Sequence, residues 1–340
     1  MKREIRTVNF GGISQEIAKT QNQVIEAVVD DFDPTTIDVP QQYTDIIDFV
    51  DRKGEVLFLT GKAGTGKSTA IRYVKHKISK SVVVAPTTIA AENVKGSTVH
   101  SFFGFPPNIF NPEDIKTPKT KVAIIQDLDL LIVDEVSMIS SALVDAMDVA
   151  LRQAKSNEQP FGGIPVMFVG DLFQLPPIVE NEEVRKYFSG LEERYDSEFF
   201  FSADIFKRVN VEAIELDMVR RQDENSSDDN KNFVNALNNI RTGTGNISSH
   251  IEFLNEKCFL AKQSDLFDKA ISLVPSKAKA KSINKNKIAA IESKPEMYKG
   301  QLKGLTSEDI KRFQAPDELE LKIGAQVVFV HNNKPDWING

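Results

Sequence analysis

Gly61-Lys62-Ala63-Gly64-Thr65-Gly66-Lys67-Ser68 fits the pattern G-x-x-x-x-G-K-[ST] of a phosphate-binding loop. Its flanks decide the fold. Glu55–Thr60 is an apolar run of strand length, and Thr69–Ser79 carries Ile71, Val74 and Ile78 on one helical face. Glycines at 61, 64 and 66 let the backbone wrap closely, so that amide N–H groups point at phosphate oxygens. The helix N-terminus adds partial positive charge. The expected nucleotide-binding set is Gly61, Ala63, Gly64, Thr65, Gly66, Lys67, Ser68 and Thr69. Within it, Lys67 is expected to reach the β- and γ-phosphates of ATP, and the Ser68 hydroxyl to ligate Mg²⁺.

The remaining composition narrows the setting. A chain of 340 residues is longer than most single domains, so two domains are expected. A hydrophobic content of 41% is enough for a real core. The net charge of −7 argues against a globally basic nucleic-acid binder but allows a basic groove on an acidic body. One cysteine, Cys258, leaves no internal disulfide, and no apolar run reaches membrane-spanning length. The first 30 residues carry Glu4, Glu16, Glu26 and Asp30 without an apolar targeting segment. An intracellular, cytoplasmic protein with no membrane partner is therefore expected.

Along the chain, residues 1–36 read as a helical segment, with Ile13, Ile17, Val24, Ile25 and Val28 near one face. An α/β alternation begins near Asp38, with a helix over Pro40–Val50, the strand at Glu55, and a strand at Ser81–Ala85. Phe103–Lys121 is broken by Pro106, Pro107, Pro112 and Pro118 and reads as a connecting segment. Asp129–Val133 is an apolar strand that ends in Asp134-Glu135, the Walker B pattern. Asp134 is expected to hold Mg²⁺ opposite Ser68, and Glu135 to orient or deprotonate the attacking water. Further strands are expected at Ile164–Val169, Val209–Leu216, Lys269–Val274 and Leu321–Phe329.

Ala85-Pro86-Thr87, followed by Gly96-Ser97-Thr98-Val99-His100-Ser101-Phe102-Phe103, resembles motif Ia of superfamily 1 DNA helicases, most closely their RecD/Pif (petite integration frequency) branch. Asp134-Glu135-Val136-Ser137-Met138 resembles the D-E-x-S-M of that branch, and Gly170-Asp171-Leu172-Phe173-Gln174-Leu175-Pro176-Pro177 its motif III. Leu216–Gln222 resembles motif IV. The resemblance covers residues 38–340 and implies a P-loop NTPase: a RecA-like parallel sheet flanked by helices over 37–217, and a second, partial RecA-like lobe over 218–340. Asp223–Asp229 is polar and acidic and marks the expected boundary.

The same resemblance assigns roles. Gln42 would read adenine. Gln174 would contact the γ-phosphate, and Arg221 would reach it across the cleft. Thr87, His100 and Ser101 would lie along single-stranded DNA, with Pro176 near its path. Phe102 is expected beside them, where a phenyl ring can stack on a base, although taken alone such a ring reads as core. Residues 103–121 would be a short pin-like insertion. In the second lobe, Lys277, Lys281 and Lys285 share a helical face. Lys277 and Asn284 are expected near the DNA backbone. The implied activity is Mg²⁺-ATP hydrolysis driving 5′-to-3′ movement on single-stranded DNA or at a forked duplex, by a monomer.

Two alternatives stand beside this. Asn333-Lys334-Pro335-Asp336 spells the guanine-recognition string of a GTPase, but no D-x-x-G switch follows a strand where one is needed. An ATP-gated single-stranded DNA-binding module is the other. It is suggested because the sequence stops at Gly340, before the family's later second-lobe motifs. Those motifs include another arginine, a residue type that supplies roughly 10³–10⁵ in rate at such sites. This chain is therefore expected to displace a strand from a 5′-tailed duplex poorly or not at all. Robust unwinding in a strand-displacement assay would overturn that expectation.

Overall fold

The computed structural model describes residues 6–9, 32–34, 37, 39–62, 64–106, 111–178, 194–217, 228–258, 270–301 and 318–327. The chain forms two compact units, Val29–Cys258 and Met1–Val28 with Phe259–Gly340.

In the smaller unit, strand β1 (Arg6–Asn9) pairs parallel with β8 (Glu296–Gln301), which pairs antiparallel with β9 (Glu318–Leu321). Residues 6–9 are thus a strand, where a helical segment was expected. The expected helical face from Ile13 to Val28 lies outside the described residues.

The larger unit contains β2 (Val56–Gly61), β3 (Ser81–Ala85), β4 (Ser97–Thr98), β5 (Leu130–Val133), β6 (Val166–Val169) and β7 (Val211–Leu216). They form one sheet in the order β4-β3-β5-β6-β2-β7, and every pairing is parallel. Parallel strands need crossovers, and helices supply them on both faces. The described helices of this unit are α1 (Gln41–Asp51), which precedes the sheet, α2 (Lys67–Lys77), α3 (Thr88–Asn93), α4 (Val99–Phe103), α5 (Lys119–Gln126) and α6 (Ser141–Lys155) between its strands, and α7 (Asp228–Thr242) and α8 (Ile247–Lys257) after it. This is the RecA-like architecture of P-loop NTPases.

Strand alternation sorts the core into two layers. Val56, Leu131, Val133 and Phe168 point to one face, against Val144, Met147 and Leu151 of α6. Leu57, Leu59, Ile132, Met167 and Val169 point to the other, against Tyr43, Ile46 and Phe49 of α1 and Ile71 and Val74 of α2. Because both faces are covered, β5 and β6 are buried at every position. That is why they read as unbroken apolar runs rather than alternating ones.

Several expected elements end differently. Ala270–Val274 is not a strand, and Ile271 and Leu273 are exposed. An apolar run becomes a strand only where a neighbouring edge accepts its hydrogen bonds. The strand expected at Leu321–Phe329 instead stops at Leu321, where Lys322–Gly324 turns with Gly324 at φ 98°. The described part of 103–121 packs onto the sheet domain. Phe105 and Ile115 are buried, and Gln153 of α6 receives the Thr117 amide and donates to the Ile115 carbonyl. Of the expected lobe boundary Asp223–Asp229, residues 223–227 lie outside the described residues, and Asp228-Asp229 begin α7 within the larger unit; the string Asn333–Asp336 also lies outside the described residues.

One close approach joins the sheet to the Walker B turn. A Cβ on Gly170 would stand 2.9 Å from Val136 Cγ1 and 3.1 Å from Val136 N. Gly170→Ala is therefore expected to destabilise the protein by about 1–3 kcal/mol, as overpacking does, measured by urea unfolding. A stability equal to that of the unaltered protein would show that this turn has slack.

Candidate nucleotide and DNA site

All six strands of the larger unit run the same way, so their C-terminal ends share one edge. That edge collects the expected functional residues. The loop after β2 carries the phosphate-binding motif, the turn after β5 carries Asp134-Glu135, and the loop after β6 carries Gly170–Pro177. Since β6 lies between β2 and β5, the Gly170–Pro177 loop emerges between the other two.

The phosphate loop has the conformation its glycines permit. Gly66 caps α2 in the left-handed region at φ 98° and ψ 17°, with no side chain bonded to the helix end. The helix N-terminus therefore faces the loop as an anion site. Lys67 Nζ donates to the carbonyls of Gly61 and Lys62 at 2.6 and 3.0 Å. Thr65 is buried, and its hydroxyl donates to the Lys62 carbonyl. Ser68 is exposed and Thr69 half-buried. Ala63 lies outside the described residues. The fully buried Tyr43 of α1 donates its hydroxyl to the Gly66 carbonyl at 2.8 Å and tilts against Tyr73 of α2. It pins the hinge glycine from below. Nothing in the sequence pattern separates this tyrosine from an ordinary core residue.

Opposite lies the carboxylate pair. Asp134 accepts from the amide of Glu135 at 2.9 Å. Glu135 stands in the left-handed region at φ 50° and ψ 44°. A non-glycine residue held there costs on the order of 1 kcal/mol and is characteristic of functional turns. Burial pushes the Asp134 carboxyl up to about 6, against the opposing effects of the Glu135 amide and the Lys67 charge. Burial also lowers the Lys67 pKa, while Asp171, Glu135 and Asp134 all act to raise it. The loop lysine and the three carboxylates therefore share one field.

Asp171 is the centre of the third loop and is 1% exposed. Its carboxylate accepts the Phe173 amide at 3.1 Å and Gln174 Nε2 at 3.4 Å. It also receives Arg241 Nε at 2.7 Å and Nη2 at 2.6 Å from α7. Burial alone would raise its pKa, but these donors hold it below the usual carboxylate range. No spacing rule singles out Arg241, which is 70 residues from Asp171 in sequence. Gln174 and Pro176 are exposed, and Pro177 is buried.

The residue set fits a magnesium nucleotide. A helix N-terminus with a lysine suits phosphates, and the Ser68 hydroxyl with the Asp134 carboxylate supplies hard oxygen donors. Among the described residues no three His, Cys, Asp or Glu side chains converge on a metal site. Two protein oxygens completed by phosphates and water is the usual arrangement for Mg²⁺.

The residues expected along DNA divide. Thr87 is exposed at the head of α3, where its hydroxyl accepts the Ala90 amide and keeps its proton to donate. Ser101 is exposed, and His100 is half-buried with a pKa lowered by burial. Phe102 requires correction. It is 5% exposed, in the core, edge-on to Phe103 with ring centroids 4.8 Å apart. A ring with no free face cannot stack on a base. Gln42 is half-buried on α1 and donates to Asp217 at 3.4 Å. In the smaller unit, helix α9 (Lys277–Ala290) exposes Lys277, Lys281, Asn284 and Lys285. Arg221 lies outside the described residues.

Fold and site together define a P-loop NTPase in which a third loop stands between the phosphate loop and the Walker B carboxylates. Residues 37–250 match the PIF1-like helicase family model. The chain belongs to the PIF1-like helicase family. It is 30% identical over 307 residues to the ATP-dependent DNA helicase PIF1 of Saccharomyces cerevisiae, covering 84% of this chain and 33% of the yeast protein. It is 28% identical over 294 residues to Pif1 of a Psychrobacter species, covering 42% of that protein. The chain thus spans a third to under half the length of these curated relatives. Bacteroides Pif1 in complex with ADP-AlF3 and ssDNA superposes with a TM-score of 0.72 at 32% identity, over 89% of this chain and 68% of that one.

The raised Asp134 pKa has a definite sign. Its folded value of about 6 exceeds the unfolded 3.8, so the folded state holds the extra proton between them. The contribution to stability therefore falls as pH rises from about 4 through 6. In nucleotide-free protein, Asp134→Asn is expected to raise stability at pH 7.5 by roughly 2–3 kcal/mol, and the gain should vanish near pH 4. A gain independent of pH in urea unfolding would refute the assignment.

Proposed function

We propose that the chain is the core of an ATP-driven DNA translocase, hydrolysing Mg²⁺-ATP and moving 5′ to 3′ along single-stranded DNA. One observation carries this reading. Thr87, Ile89 and Asn93 of the motif Ia segment share a cleft of about 240 Å³ with Glu135, Ser137 and Met138 of the Walker B turn and with Gln174 and Leu175 of motif III. A strand lying over α3 would touch the same cleft that the hydrolytic groups line. DNA and nucleotide would then each bias one arrangement of these loops.

In this reading the α2 N-terminus and Lys67 bind the phosphates, and Gln42 reads adenine. Mg²⁺, held by Ser68 and Asp134, would neutralise phosphate charge. Glu135 takes the proton of the attacking water, Gln174 orients the γ-phosphate, and Arg221 reaches it as well. Thr87, Ser101 and His100 take the DNA backbone with Pro176 beside them. In the smaller unit, the exposed lysine face of α9, with Asn284, is by itself suited to phosphate contacts. The Bacteroides Pif1 complex with ADP-AlF3 and ssDNA supports this pairing of ligands.

Single-stranded DNA is expected to raise ATP turnover of the chain at least tenfold, and Lys67→Ala to remove turnover with and without DNA. Steady-state phosphate release measures both. Unchanged turnover in Lys67→Ala would remove the site, and indifference to DNA would remove the coupling.

A further inference from the structure

The role of Arg241 goes beyond the motif residues. It sits in the last turn of α7, where a cation is favoured by the helix dipole. Its position is rigidly supported. Gly243, at φ 67°, closes the helix through its amide to the Ile240 carbonyl, and Thr244 does the same to Asn239. Asn239 is hydrogen-bonded to His250 of α8 at 3.0 Å. From this base Arg241 reaches the loop after β6 and grips both oxygens of Asp171. Its guanidinium also lies 4.5 Å over the ring of Phe173. The arginine side chain is 19% exposed and its partner carboxylate 1%. A bidentate pair this dry fixes orientation as well as distance.

The consequence falls on Gln174. The same carboxylate that Arg241 holds also receives the Gln174 side-chain amide, and the Gln174 backbone amide donates to the Asp171 carbonyl. Asp171 is therefore a joint with Arg241 on one side and Gln174 on the other. Arg241 also lowers the Lys67 pKa, so its charge acts within the nucleotide pocket.

We propose that Arg241 is a positioning residue for ATP hydrolysis: its two-point grip on Asp171 aims Gln174 at the γ-phosphate. This rests on the reading of the edge as an ATP site with Gln174 facing the γ-phosphate. Arg241 touches neither substrate nor metal in this role. Lysine at this position keeps the charge but loses the fork, so it restores the role only in part. The β-phosphate end of the nucleotide, held by the phosphate loop, does not depend on it.

The test uses the full chain with single-stranded DNA. It compares Arg241→Ala, Arg241→Lys, Gln174→Ala and the Arg241→Ala/Gln174→Ala double variant. Arg241→Ala is expected to lower kcat 10- to 100-fold while KM for ATP and Kd for a fluorescent ADP stay within about threefold. Arg241→Lys should recover part of the loss. The double variant should be no slower than the worse single variant, because both act through one contact. The ratio of affinity for ADP-aluminium fluoride over ADP should collapse in Arg241→Ala. Wild-type kcat in Arg241→Ala, additive losses in the double variant, or a loss of ADP binding as large as the loss of kcat would each overturn the proposal. If the unaltered chain binds neither ADP nor ADP-aluminium fluoride, the nucleotide-site reading itself fails and takes this proposal with it. If it binds both without turning ATP over, the affinity ratio alone decides the role of Arg241.

Discussion

The position of β6 between β2 and β5 is the constraint on which the site depends. A parallel sheet buried on both faces must send all its strand ends to one edge, because each crossover helix returns the chain to the opposite edge. Strand order then decides which loops are neighbours. Here the loop after β6 stands between the phosphate loop and the carboxylate turn. Gly170 allows this closeness, since a Cβ there would crowd Val136. The apolar layers on either face hold the order, and the loops are built on that frame.

Bringing three loops together concentrates charge in a poorly hydrated place. Lys67, Asp134, Glu135 and Asp171 would be a costly group if each stood alone. The structure offsets the cost in different ways. Lys67 leans on loop carbonyls, Asp134 is pushed toward its neutral form, and Asp171 is satisfied by Arg241 and two donors from its own loop. Asp171 is thus satisfied from outside the three loops, by α7. The edge is thus tied to a helix that follows the sheet in sequence, and the cleft shared by Thr87, Glu135 and Gln174 ties it to the motif Ia segment.

The legible parts of this site were those in which the chemistry is local. Gly66 needs a left-handed turn, Lys67 and Ser68 follow it directly, and Asp134-Glu135 ends an apolar strand. Each is a short-range requirement that a few consecutive residues state in full. Phe102 was misread because a phenyl ring serves a core or a nucleic acid equally well, and only its neighbours Phe103 and Phe105 tell which. The run at 270–274 has strand composition but no paired edge. Tyr43 and Arg241 carry no local mark at all, since their partners, Gly66 and Asp171, are 23 and 70 residues away.

By itself, then, the sequence determined the nucleotide loop, the carboxylate pair, the alternation of strands and helices, and the resemblance that the family match bears out. These rest on backbone conformation and periodicity, which neighbouring residues dictate. Tertiary structure alone decided the strand order, the placing of Asp171 between the phosphate loop and the carboxylate turn, the burial of Phe102 and the grip of Arg241. Those depend on which distant surfaces meet, and hydrophobic burial selects the meeting without leaving a pattern at the polar residues it brings together.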